Sequence, residues 1–163
     1  MSQFSSTNKH FAIAPLQTDD SVSLHQIYQN CFTPAWKKQA FDDFLTDHSI
    51  FGYKAFLMSE PKKNLGFCLC RLILDEAEII TIAVSPHYRR QGIGTLLIDS
   101  IFCHLHHKGA IKLFLEVEET NLSALKLYQR FKFEKIAKRL AYYQSQNSRT
   151  DAIVMQKTFK QID

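Results

Sequence analysis

The hydrophobic period of this chain changes at Pro86, and that change limits the folds open to it. From Ile50 to Pro86, short apolar runs follow one another with polar links too brief to hold a helix. Ile50 to Met58, Leu65 to Leu74 and Glu78 to Val84 alternate or run apolar over strand lengths. The first two are joined by Ser59-Glu60-Pro61-Lys62-Lys63-Asn64, a hairpin connection by composition, and the next two by Asp75-Glu76, a tight turn. Three such strands in a row predict an antiparallel meander. After Pro86, Ile93, Leu96, Leu97, Ile101 and Leu105 recur at helical spacing and predict a long helix, ended by Gly109 in a left-handed cap. Ile111 to Val117 reads as the next strand, and the intervening helix predicts that it runs parallel to the strand before Pro86.

The flanking segments complete an α+β pattern. Phe11 to Leu16 predicts a first strand. Leu24, Ile27, Tyr28 and Cys31 predict a helix broken by Pro34, and Phe41, Phe44 and Leu45 a second short one. Thr120 is placed to cap a helix carrying Ala124, Leu127, Tyr128 and Phe131 on one side. Phe133 to Tyr143 and Asp151 to Phe159 predict a closing hairpin. The expectation is one domain over 11–163 with a mixed, mostly antiparallel sheet of seven strands and about four helices. A polar, flexible tail is expected over 1–10. A length of 163 residues suits a single domain.

Composition narrows the function classes. No run approaches the ~18 apolar residues of a membrane span. The first ten residues lack an apolar signal core, so a cytoplasmic protein without membrane attachment is expected. The net charge of +4 suits anionic partners such as phosphates without requiring them. The four cysteines, Cys31, Cys68, Cys70 and Cys103, show no zinc spacing, and Cys68 and Cys70 share one strand face as small hydrophobes. His104, His106 and His107 sit in the last turn before Gly109, where imidazoles favour the helix dipole, and no metal is expected.

The segment after Val84 is the most informative chemically. A strand ends, Arg89-Arg90-Gln91-Gly92-Ile93-Gly94 follows, and a helix begins. The first N–H groups of a helix lack intrahelical partners and carry partial positive charge. Gly92 and Gly94 let an anion approach the backbone, and Arg89 and Arg90 add formal charge, which favours a pyrophosphate. A P-loop is excluded because no Lys-Ser or Lys-Thr follows Gly94, and a dinucleotide fingerprint because Leu97 stands where the third glycine belongs. A tight strand-to-helix turn with no ligand remains the alternative.

Arg89-x-x-Gly92-x-Gly94, preceded by Ile82-Ala83-Val84-x-Pro86, resembles the acetyl-CoA signature of the GNAT acyltransferases. Asn121-x-x-Ala124-x-x-Leu127-Tyr128 resembles that family's second motif, and the likeness runs from about Phe11 to Met155. A narrower likeness, to the RimI-type ribosomal-protein alanine N-acetyltransferases, is carried by Glu116 within Leu113–Val117, by Phe32-Thr33-Pro34-Ala35-Trp36, by Tyr142-Tyr143 and by Asp151-Ala152-Ile153-Val154-Met155. One departure is Lys132, where the family usually has Gly before the Phe that follows the Tyr128 helix. A positive φ there would strain Lys by about 1 kcal/mol or more.

The resemblance implies a GNAT fold and acetyl-CoA as cosubstrate. It implies that the backbone of Ile82, Ala83 and Val84 faces the pantetheine arm. It also implies that Arg89, Arg90, Gln91, Gly92, Ile93, Gly94 and Thr95 hold the pyrophosphate, with Asn121 also at the cofactor. Glu116 is then the general base and Tyr128 the general acid. Read without the resemblance, Glu116 can equally be a rim carboxylate, Tyr128 a core residue and Asn121 a helix cap. Trp36, Tyr142 and Tyr143 are candidate walls for a peptide end, or ordinary packing. The implied acceptor is a protein N-terminus, the N-terminal alanine of ribosomal protein S18, with no direct nucleic-acid contact and a monomer or weak dimer as the working state. A peptide α-amine, with pKa ~7.7–8.0, is about a tenth neutral at pH 7, whereas a lysine at ~10.4 is less than about a thousandth neutral, which favours the former as nucleophile. A lysine or small-amine acceptor, and a non-catalytic acyl-CoA-binding role, are the alternatives.

Overall fold

The computed structural model describes residues 10–144 and 149–160, and the side chains of residues 143 and 144 are not described. The expected tail therefore lies outside the described residues except for His10. In chain order the elements are β1 (Phe11–Pro15), α1 (Ser21–Gln29), α2 (Lys38–Thr46), β2 (Ile50–Leu57), β3 (Glu60–Ile73), β4 (Glu76–Val84), α3 (Ile93–His107), β5 (Lys112–Glu118), α4 (Leu122–Arg130), β6 (Glu134–Gln144) and β7 (Arg149–Thr158). The seven strands form one sheet in the order β1-β2-β3-β4-β5-β7-β6. Every pair is antiparallel except β4 and β5, which run parallel as the crossover through α3 requires.

Alternation along the strands divides the core into two layers. Cys68, Cys70, Ala77, Ile79, Leu113 and Leu115 pack on one side, against Leu97, Ile98, Ile101 and Leu105 of α3. Phe67, Leu69 and Ala83 pack on the other, against Leu24, Ile27, Tyr28 and Phe41 of α1 and α2. Cys68 and Cys70 sit on the same face as expected, fully buried with their sulfurs 3.9 Å apart. Leu113, Leu115 and Val117 are buried while Phe114, Glu116 and Glu118 are only partly covered, so β5 presents Glu116 away from α3.

Four expectations need correction. The segment Glu60–Asn64 is strand, not connection: Leu57 pairs with Glu60 and Phe56 with Asn64, leaving Pro61, Lys62 and Lys63 bulged out of the ladder, where the missing Pro N–H does no harm. The next turn is Leu74-Asp75, one residue earlier than expected, with Ile73 paired to Glu76 and Leu74 at φ 56. In α3, Leu96 is 37% exposed and Ile98 takes its place on the buried face. Asn121, not Thr120, caps α4, its Oδ1 accepting the Ala124 N–H at 3.2 Å.

Candidate active site

Parallel pairing between β4 and β5 stops almost where it starts. Only Glu76, Ala77 and Glu78 pair, with Lys112, Leu113 and Phe114. Two features open the gap. An extra residue, Ile80, is inserted in β4 where Leu69 pairs with Thr81 but Cys70 pairs with Ile79, and such a bulge bends its strand. Beyond Glu118, β5 leaves for α4, and past Glu78 β4 has no strand on its β5 side. Because the Ser85 N–H donates to the Leu65 carbonyl at 2.7 Å, alternation aims the backbone groups of Ala83 at β3 and those of Ile82 and Val84 into the gap. The Val84 carbonyl already accepts from Arg89 Nε at 3.1 Å and from Cys31 Sγ at 3.4 Å.

The gap widens into a cleft of about 1100 Å³, closed below by the start of α3 and on one side by α4. Arg90 and Gly92 both adopt positive φ, 59° and 85°, and turn the chain so that the first turn of α3 faces the cleft. The first intrahelical bond of α3 runs from the Leu96 N–H to the Gly92 carbonyl, and no side chain caps the N–H groups ahead of it. Gly94 acts differently: a Cβ there would stand 3.1 Å from Leu127 Cδ2, so the glycine lets Leu127 of α4 lie against α3 without shifting. Arg89, Arg90, Lys126 and Arg130 line the cleft and give it a cationic rim. Gln91 is not on its lining; its amide turns back to the His87 carbonyl at 3.3 Å.

Of the residues singled out from sequence, Ile82, Ala83, Val84, Arg89, Arg90, Gly92, Ile93, Gly94, Thr95, Asn121 and Tyr128 line this one cleft. Tyr128 is buried, packed edge-on to Phe133 with ring centroids 5.6 Å apart. Its helix ends in a Schellman turn: Phe133 N–H donates to the Tyr128 carbonyl and Lys132 N–H to the Gln129 carbonyl, with Lys132 at φ 65. The departure from glycine at 132 thus keeps the left-handed geometry. Glu116 is not on the cleft's lining: alternation in β5 puts it on the face of the sheet opposite the α3-side core to which Tyr128 belongs. Glu116 Oε1 is 3.1 Å from Arg139 Nη2.

Trp36 stacks on Tyr28 at 4.5 Å and packs against Phe41 and Phe44, so it anchors the loop after α1 and does not line the cleft. Cys31 and Phe32, from the same loop, do line it. Tyr142 is half-exposed on β6, with the Arg139 guanidinium 5.2 Å from its ring centre, while the Tyr143 side chain lies outside what is described. Sequence reasoning missed Lys126 and Arg130, whose signal was the i, i+4 spacing from Leu122 along α4. Burial pushes the Cys70 thiol pKa well up, which makes it a poor nucleophile. Among the described residues no group of three His, Cys, Asp or Glu side chains could hold a metal ion, and no helix is long and apolar enough to cross a membrane.

Comparison with known proteins agrees with this geometry. Residues 21–133 match the acetyltransferase (GNAT) family. The ribosomal protein bS18-alanine N-acetyltransferase of Escherichia coli K12 is 32% identical over 143 residues, covering 88% of this chain and 94% of the relative. The crystal structure of the ribosomal-protein-S18-alanine N-acetyltransferase from Escherichia coli superposes with a TM-score of 0.87 at 28% identity, covering 94% and 97% of the two chains. Arabidopsis thaliana NAA60, solved in complex with acetyl-CoA, shares the fold at a TM-score of 0.81 and 18% identity, with 91% and 98% covered.

Proposed function

Since the chain belongs to the GNAT acetyltransferase family, we propose that it carries an acetyl group from acetyl-CoA to the α-amine of a protein N-terminus, the N-terminal alanine of ribosomal protein bS18. The carrying observation is the splayed β4–β5 pair opening onto the uncapped first turn of α3. The N–H groups of Ile93, Gly94 and Thr95, with Arg89 and Arg90, fit a diphosphate. The gap-facing N–H and carbonyl of Ile82 and the N–H of Val84 fit the amides of a pantetheine arm, which would add to β4 as a strand does. Lys126 and Arg130 supply further charge for phosphate.

The proposed chemistry uses one residue from each face of the sheet. Glu116 takes the proton from the acceptor ammonium through a water. The freed amine attacks the thioester carbonyl carbon and a C–N bond forms; as the C–S bond breaks, the nitrogen gives up its second proton to bulk water, which restores the one Tyr128 donates. Tyr128 gives its phenolic proton to the departing thiolate. No side chain is acetylated on the way, so Cys68, Cys70 and Cys103 are dispensable. Trp36 acts through the loop that presents Phe32, and Tyr142 is linked to Glu116 through Arg139, which touches both.

The acceptor assignment is supported by relatives that share about a third of their residues over nearly the whole chain. Mass spectrometry of bS18 N-terminal peptides from a deletion strain tests it. Loss of the acetyl group is expected, and unchanged acetylation removes the assignment. Lysine and polyamine acceptors, offered beside an alanine-ended peptide, distinguish the wider amine-acetylating reading.

A further inference from the structure

The carboxylate assigned as base is not free to receive an ammonium group: Arg139 Nη2 stands 3.1 Å from Glu116 Oε1. A deliberately built piece of β6 holds that arginine there. Regular alternation would put residues 139 and 142 on opposite faces of the strand. Here the ladder slips between Arg139 and Tyr143, which pair with Ala152 and Thr150. Ala141 takes φ 52, and its N–H is held by Asp151 Oδ1 at 2.7 Å. The bulge brings the Arg139 guanidinium to 5.2 Å from the Tyr142 ring centre while it pairs with Glu116, so the cation touches a carboxylate and an aromatic face at once.

The other charged groups at this end of the sheet are committed elsewhere. Lys138 bridges Glu119 at 3.0 Å and Asp151 at 3.1 Å, and Thr150 Oγ1 donates to Glu118. Arg139 keeps 55% of its side chain exposed and Glu116 keeps 25%. An ion pair this open to water is cheap to exchange, unlike a buried strut.

We propose that Arg139 is a positioning residue that stands in for the acceptor's ammonium at Glu116 and, when the acceptor arrives, gives up the carboxylate while the Tyr142 ring keeps hold of its guanidinium. The inference rests on Glu116 being the base. The exchange puts the acceptor's ammonium, with the water that relays its proton, in the place of the guanidinium, so the carboxylate keeps a cation beside it throughout. The incoming ammonium then holds the proton that Glu116 removes, and the guanidinium, which does not deprotonate, is withdrawn from the proton path. Because only the Arg139-free state accepts substrate, the apparent affinity for the acceptor is reduced by the fraction of time that Glu116 is occupied.

Steady-state kinetics with an alanine-ended peptide and saturating acetyl-CoA test this. Arg139→Gln is expected to lower the peptide KM and raise kcat/KM by about two- to fivefold, the range open to an exposed pair. Arg139→Lys, which keeps a cation, is expected to return KM toward the wild-type value. Tyr142→Leu is expected to raise KM by a larger factor while Arg139 is present than in the Arg139→Gln background, and an equal rise in both overturns the role of the ring in holding Arg139. A KM that rises or stays unchanged in Arg139→Gln overturns the proposal and makes Arg139 a contact for the acceptor or a surface residue. Full-speed turnover by Glu116→Gln would instead overturn the reading of Glu116, whatever Arg139 does.

Discussion

Replacing Asp20 by Ala should be among the most damaging single changes in the N-terminal half of the fold. Asp20 is 7% exposed at the start of α1. Its Oδ1 lies 2.7 Å from Lys54 Nζ of β2, and its Oδ2 accepts the Gln17 N–H at 2.8 Å. Asn64 of β3 reaches Oδ1 at 3.4 Å and donates to Ser23 Oγ at 2.6 Å. One carboxylate therefore ties α1 to two strands. Removing it leaves the Lys54 ammonium, 18% exposed, without its anion. Breaking a fully buried pair costs about 3–5 kcal/mol, and the residual exposure of Lys54 brings the expected loss to about 2–3 kcal/mol. At about 2–4 °C per kcal/mol for a chain of this size, Tm should fall by about 5–10 °C. Asp20→Ala with Lys54→Met removes both charges, and an apolar pair in place of an ionic one is often neutral, so most of the loss should return. Urea unfolding of the two singles and the double gives the coupling directly. A loss below about 1 kcal/mol in Asp20→Ala, or no recovery in the double, would refute the claim that a desolvated charge carries the effect.

Other predictions concern the helix end, pH and chemistry. Lys132→Gly relieves a left-handed residue worth about 1–2 kcal/mol, offset by roughly 0.4–1 kcal/mol of added freedom in the unfolded chain, so a small rise in Tm is expected by calorimetry. His104 is stacked on Phe51 at 3.9 Å with Tyr53 Oη 3.0 Å from Nδ1; burial, then Lys108 and His107, hold its pKa below the ordinary 6.5. The unfolded chain therefore binds this proton more readily. The stability contribution is complete above the ordinary value and is lost as pH falls toward the folded one, and His104→Phe should flatten that acid-side decline in urea titrations. Glu116→Gln and Tyr128→Phe should each lower kcat by roughly 10²–10⁴-fold with little change in acetyl-CoA affinity, measured by single-turnover kinetics and calorimetry.

Much of the fold could be read because its signals are local. The period change at Pro86, the Gly92 turn and the Gly109 cap each follow from a residue's own backbone preference or from spacing along one element. Glu116's outward face followed from simple alternation in β5. The failures are nonlocal. Glu60–Asn64 looks like a loop by composition, but pairing across a bulge with β2 makes it strand. Thr120 and Asn121 are both good cap residues, and only the geometry of the turn chooses between them. At the site, the extra residue at Ile80, the slip in β6 and the Glu116–Arg139 pair all depend on register between strands far apart in sequence. Lys132 shows the converse. Its left-handed conformation is imposed by the Schellman turn and the Tyr128–Phe133 contact, against its own preference.

The central claim is that the first turn of α3, turned into the β4–β5 gap by Gly92, holds the diphosphate of acetyl-CoA. Calorimetric titration of acetyl-CoA into the folded protein and into Gly92→Val tests it most directly. A Cβ at Gly92 meets no atom within 4 Å, so the variant's injury comes from φ 85 and falls on the cradle, not on the core. The account predicts one acetyl-CoA per chain for the wild type and affinity weakened about tenfold or more in Gly92→Val. Absence of binding to the wild type, or equal affinity in a variant shown to be folded, would contradict it.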